Sequence, residues 1–166
     1  LTMNISTPYF KENNNDENYI PLAKPSITKK EMAYVNEAMI NGWGENKSNF
    51  IEKFEVTFAK KIGSKFALAT SSCTGALHLG LESLGIKKGD EVIVPESTWI
   101  ASVAPIVHLG AKPVFVDILK DSWCIDPKLV EAAITPKTRA ILCVHLYGNL
   151  CELNELIKIC QKFNIS

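Results

Sequence analysis

Thr70-Ser71-Ser72-Cys73-Thr74-Gly75-Ala76-Leu77 is the stretch best suited to hold a ligand. Its small polar side chains stand between an apolar run, residues 66–69, and leucines at 77, 81 and 84 that repeat at helical spacing. A strand that turns directly into a helix leaves the first backbone N–H groups unpaired, with the positive end of the helix dipole beside them. Phosphate suits such a site. The stretch is neither a Walker loop nor a GxGxxG fingerprint, so an ordinary turn capped by Ser or Thr also accounts for it. Cys73 could act as a nucleophile with its pKa lowered at a helix start, although no histidine partner is local. Trp99 follows a second apolar run and could stack on a flat ring, or pack in the core as Trp usually does. His145 could serve as a base or donor, or only cap backbone groups. His78 and His108 lie in helical patterns, and Asp90, Asp117 and Asp126 read as turn and cap residues.

These residues need elements to position them. Strands are predicted at 66–69, 91–95, 113–117 and within 138–145; helices at 28–40, 48–62, 74–84, 98–109, 127–134 and 152–163. Thr28 with Glu31 makes a capping box, and Gly42 ends that helix. Phe50, Phe54 and Phe58 stripe the second helix. Pro105 should kink or shorten the fourth. Asp126-Pro127 is an N-cap followed by Pro at the first helical position. The last helix carries Leu153, Leu156, Ile157 and Cys160 as its expected buried stripe. Apolar strands alternating with helices imply right-handed βαβ units, hence an α/β fold of three layers with a mostly parallel sheet. Ligands on such sheets bind beyond the carboxyl ends of the strands. Those ends carry Thr70-Ser71-Ser72, Pro95-Glu96-Ser97-Thr98-Trp99, Asp117 and His145-Leu146-Tyr147-Gly148.

Composition narrows the classes. The chain has 166 residues, 46% of them hydrophobic, with 18 basic and 18 acidic residues. No basic excess points to nucleic acid and no apolar run approaches a membrane span. Five cysteines, odd in number and without CxxC spacing, argue against a disulfide framework or a metal site and fit a reducing cytoplasm. Residues 1–19 are polar and Asn-rich, as in a flexible tail, and residues 20–25 are held extended by two prolines. The chain stops after a helix, where a parallel sheet would continue, so residues 20–166 are expected to be part of a longer domain.

Five motifs occur in one order. They are Ser71-Ser72-Cys73-Thr74-Gly75-Ala76-Leu77, Gly89-Asp90-Glu91-Val92-Ile93-Val94-Pro95, Gly110-Ala111-Lys112-Pro113-Val114-Phe115-Val116-Asp117, Ile134-Thr135-Pro136-Lys137-Thr138 and His145-Leu146-Tyr147-Gly148. Together they resemble the DegT/StrS-type nucleotide-sugar aminotransferases, enzymes of fold type I that depend on pyridoxal 5'-phosphate (PLP). Within that family, 41–55 and 123–127 are most similar to the GDP-perosamine synthases.

The resemblance implies the aspartate aminotransferase-like large domain, incomplete at its C-terminus. Thr74 and Gly75 would donate backbone N–H groups to the PLP phosphate with Ser72 nearby, and Trp99 would stack on the pyridine ring. No catalytic residue or metal ligand is assigned, because the Schiff-base lysine and the carboxylate that pairs with the ring nitrogen are expected downstream of Ser166. The 166 residues alone should therefore be inactive. The longer protein would transfer an amino group, with L-glutamate as donor, to C4 of a nucleotide-linked 4-keto-6-deoxy sugar for surface polysaccharide or glycan synthesis. It would work as a cytoplasmic homodimer, without nucleic-acid or membrane partners. A PLP-dependent sugar dehydratase, with His in place of the lysine, and a non-catalytic sensor of PLP or sugar nucleotide are the alternatives. Two positions depart from the family: Cys73 and Ser48 stand where Gly is usual. Cys73 would strain the turn if that position required a positive φ.

Overall fold

A computed structural model describes residues 25–166; the expected tail and most of the proline-rich stretch lie outside them. Two compact units divide between Lys53 and Phe54, within a helix. In the first, α1 (Lys29–Asn41) starts with the expected capping box: Thr28 Oγ1 accepts from Lys30 N–H at 3.2 Å, and Glu31 accepts from Thr28 N–H at 2.6 Å. Gly42 ends α1 at φ −82°, so its role is space rather than left-handed backbone; a Cβ there would lie 2.4 Å from the Ala38 carbonyl oxygen. A short 3-10 turn, Gly44–Asn46, leads to α2 (Asn49–Ile62). The apolar residues Met32, Val35 and Met39 of α1 are exposed.

The second unit holds a three-stranded sheet. Its elements are α3 (Cys73–Ser83), β1 (Glu91–Pro95), α4 (Ile100–His108), β2 (Lys112–Val116), α5 (Pro127–Ala133), β3 (Thr138–Ile141) and α6 (Leu153–Phe163). Strand order is β2-β1-β3, all parallel, as the alternation of apolar strands with helices predicts. All five residues of β1 are buried. Val92 and Val94 join Leu81, Val103 and Ile106 from α3 and α4 in one core. Ile93 points the other way, to Ile125, Val130, Leu156 and Ile159. The period-2 pleat of one strand therefore feeds two cores and makes the sheet the middle of three layers.

Three expectations change. Residues 66–69 form no ladder, and Phe66 and Leu68 are 76% and 74% exposed. A strand needs a neighbour, and among the described residues none lies beside this segment. The fourth helix runs Ile100–His108 rather than over 98–109, the shorter of the two outcomes expected of Pro105, which sits inside it. In α6 the buried residues are Leu156 and Ile159 while Leu153 and Ile157 are exposed, because the face toward the sheet runs at i, i+3 from Leu156. Asp126 caps α5 as expected, accepting from Lys128 N–H at 2.8 Å. No helix among the described residues is long and apolar enough to cross a membrane.

The amino edge of the sheet is pinned by charge. Glu91 Oε2 accepts from the Thr135 hydroxyl at 2.6 Å, and Lys112 Nζ lies 3.5 Å from its Oε1, so one carboxylate ties β1 to β2 and to the turn before β3. Asp90 lies 3.5 Å from Arg139 Nε. The Thr135 hydroxyl chiefly, helped by Lys112, holds the Glu91 carboxyl below its ordinary 4.5. The folded state thus binds fewer protons than the unfolded one in that window, so this contribution is complete above 4.5 and fades as pH falls through the lower folded value. Glu91→Gln should cost about 1–2 kcal/mol at neutral pH and flatten the acid limb of melting temperature against pH. An unchanged acid limb would contradict the role.

Candidate functional site

The turn into α3 is built from its own hydroxyls. Ser72 is the N-cap, extended at φ −161° and ψ 156°, and its Oγ accepts from Gly75 N–H at 3.1 Å. Thr70 Oγ1 donates to Ser72 O at 2.9 Å, and Ala76 N–H gives the first helical bond to the same carbonyl at 3.0 Å. That leaves the Cys73 and Thr74 N–H groups as the turn's open donors among the described residues. No acidic residue lies in the first turn of α3 to oppose an anion. The approach to the turn is fixed by Glu55 of α2, whose Oε1 accepts from Ala69 N–H at 2.8 Å.

Cys73 is the first residue of α3 and is not among the residues with positive φ. The backbone here asks for no glycine, so the strain a Cys could bring does not arise. Gly75 is likewise under no steric demand, since a Cβ on it would make only an ordinary 3.4 Å contact with Ser72 Oγ.

Trp99 is the N-cap residue of α4, its carbonyl accepting from Ser102 N–H at 2.9 Å. Its side chain is 77% exposed, which rules out the core-packing reading and leaves a bare aromatic face just past the end of β1. The structure joins Ser72 and Gly75 by a hydrogen bond, with Thr74 between them. Trp99 stands apart on the next helix, with no hydrogen bond to that turn.

His145, past the end of β3, accepts from Cys151 N–H on Nδ1 at 3.1 Å, which favours a structural histidine over a general base. His78 and His108 face each other across α3 and α4 with ring centroids 6.3 Å apart. The five cysteines are free. Cys124 and Cys151 donate their Sγ–H groups to Asn149 O and Val144 O, at 3.4 and 3.2 Å. Burial, aided by neighbouring thiols, pushes Cys151 up to about 12, so it stays a protonated donor. Among the described residues no three His, Cys, Asp or Glu side chains converge as a metal site.

Sequence reasoning missed Glu55 and the two thiols. The Glu55 contact spans 14 residues and has no local signal. The Thr70 hydroxyl bond, by contrast, is a local Ser/Thr turn that residue type could have revealed.

Residues 25–166 match the DegT/DnrJ/EryC1/StrS aminotransferase family. The chain is 46% identical over 147 residues to the GDP-perosamine synthase of Escherichia coli O157:H7, covering 89% of this chain and 40% of that protein. An aminotransferase from Psychrobacter cryohalolentis has a similar structure, with a TM-score of 0.81 at 35% identity over 87% of this chain and 37% of that one. So does a GDP-4-keto-6-deoxymannose-3-dehydratase with a trapped PLP-glutamate geminal diamine, at 0.79 and 32% over 89% and 39%. The chain thus spans about 40% of the length of the curated relatives it matches.

Ser72→Ala removes the cap from Gly75 N–H and should lower stability by about 1 kcal/mol, read by urea unfolding. An unaltered midpoint would show that the hydroxyl does not hold the turn.

Proposed function

The chain belongs to the DegT/DnrJ/EryC1/StrS aminotransferase family, and from that premise we propose that it supplies the phosphate turn and stacking face of a PLP-dependent sugar aminotransferase. Residues 25–166 are then the N-terminal part of the PLP-binding large domain. The observation that carries the proposal is the α3 turn: open N–H groups at Cys73 and Thr74, a Ser72 hydroxyl, and no acidic side chain in the first helical turn. These residues fit a phosphate monoester.

Each residue has a stated task. Thr74 would donate its open backbone N–H to the phosphate, and Gly75 N–H, which bonds Ser72 Oγ in this structure, would share its proton between that oxygen and the phosphate. The Ser72 hydroxyl, which accepts from Gly75 N–H, keeps its own proton to give to a phosphate oxygen. The α3 dipole favours the dianion at this end. Trp99 lays its exposed face against the pyridine ring and keeps water from that side. Bound PLP supplies an electron sink for chemistry at the amino-bearing carbon. The lysine that carries it lies outside these residues.

The resemblance to a GDP-perosamine synthase at 46% identity supports a nucleotide-linked 4-keto-6-deoxy sugar as amino acceptor. The PLP-glutamate adduct named for the dehydratase neighbour supports L-glutamate as donor. A homodimer, in the cytoplasm, completes the proposal. That same neighbour, with a TM-score of 0.79, also supports a second reading, sugar dehydration, which shares the phosphate turn. Incubation of the longer protein with glutamate and GDP-4-keto-6-deoxymannose separates the two: a 4-amino sugar supports amino transfer, and a deoxygenated sugar supports dehydration.

Trp99→Ala should weaken PLP binding about tenfold, equivalent to about 1.4 kcal/mol and in the range of aromatic stacking, as measured by absorbance titration. Unchanged affinity would remove Trp99 from the site. In the longer protein, Cys73→Gly should leave PLP uptake and turnover as in the wild type, since Cys73 offers only its backbone. Lost activity with the fold intact would make the thiol a participant.

A further inference from the structure

The loop that follows β3 is held more firmly than its exposure requires. The ladder to β1 extends past the strand through Leu142 N–H to Ile93 O at 2.8 Å. Two buried thiols then bind the loop from beneath, Cys151 Sγ–H to Val144 O and Cys124 Sγ–H to Asn149 O. Within it Tyr147 has φ +52°, left-handed backbone that costs a non-glycine residue free energy and tends to persist where a site needs a fixed shape.

The same loop fixes the proton on His145. A backbone N–H can only donate, so Nδ1 must offer its lone pair to Cys151 N–H at 3.1 Å. A neutral imidazole carries one proton, which is therefore on Nε2. The ring is exposed at the carboxyl edge of the sheet, and β3 is the direct neighbour of β1, whose end leads to Trp99. Ligands of parallel α/β sheets lie at this edge.

We propose that His145 is a positioning residue: a neutral imidazole, its tautomer set by Cys151 N–H, that donates its Nε2 proton to an oxygen of the ligand bound at the carboxyl edge. The proposal rests on the cofactor-dependent function above. The oxygen belongs to the cofactor or to the sugar substrate, and the chemistry asked of it is the same: an acceptor lone pair. A histidine that merely caps the loop would use Nδ1 alone.

Two variants separate the tasks. His145→Asn places an amide oxygen where Nδ1 stood, so the Cys151 bond is kept and the outer donor is lost. His145→Gln restores a donor farther out while loosening that bond. We expect His145→Asn to lose about tenfold in affinity, the equivalent of one hydrogen bond, with a melting temperature near the wild type, and His145→Gln to recover most of it. In the longer protein, PLP affinity is read by absorbance titration and sugar-nucleotide KM by steady-state assay. A weaker PLP affinity assigns the oxygen to the cofactor; a higher KM with PLP affinity unchanged assigns it to the substrate. Wild-type values for His145→Asn in both arms overturn the proposal, as do equal losses in both variants that track their melting temperatures. Imidazole 15N NMR of the protein without cofactor should show Nε2 protonated and Nδ1 bare; the reverse overturns the proposal. A wild-type protein that takes up no PLP overturns the cofactor-dependent function itself, whereas normal uptake with an insensitive His145→Asn overturns only the donor role.

Discussion

Strand β1 is bonded on both sides and buried on both faces, and every candidate residue past its edge takes its position from that constraint. Val92 and Val94 enter the core under α3 and α4, and Ile93 enters the core under α5 and α6. A slip of one residue would send each side chain into the wrong layer, so the register is fixed by packing. With it are fixed the points where the chain leaves the sheet: Pro95 toward Trp99, Val116 toward the loop that returns at Cys124, and Ile141 toward His145. The opposite edge is tied by carboxylates, Asp90 to Arg139 and Glu91 to Thr135 and Lys112. Asp90 and Glu91 thus spend their carboxylates at the amino end of the sheet.

The α3 turn stays polar and open for a local reason. Its hydroxyls bond within the turn, from Thr70 to Ser72 and from Gly75 to Ser72, which shapes the backbone while leaving the earliest N–H groups free. Glu55 spends its carboxylate on Ala69 N–H, before the turn begins. An anion arriving at Cys73 and Thr74 meets donors and a helix dipole, and the first turn of α3 offers no competing negative side chain.

The sequence was most legible where the signal is local. The capping box at Thr28, the Asp126-Pro127 start of α5, the buried run of β1 and the Ser72 cap each depend on residues within four positions. Residues 66–69 have the composition of a buried strand, yet a strand is a pairing and not a composition, and no partner lies beside them among the described residues. Of the expected α6 stripe only Leu156 is buried; Leu153 and Ile157 are exposed and Ile159 is buried instead, because apolar side chains occupy more of the helix than its buried face. Trp99 could be core or platform from residue type alone; only its exposure decides. The Glu55 to Ala69 and Cys124 to Asn149 contacts join residues 14 and 25 positions apart, and nothing in either segment announces the other.

The central claim is that the α3 turn receives the phosphate of the cofactor. A crystal structure of the protein grown with PLP tests it most directly. The phosphate should lie within hydrogen-bond distance of Thr74 N–H and the Ser72 hydroxyl, with the pyridine ring parallel to the Trp99 indole. A phosphate seated elsewhere, with the Thr74 amide bonded only to water, would contradict the account.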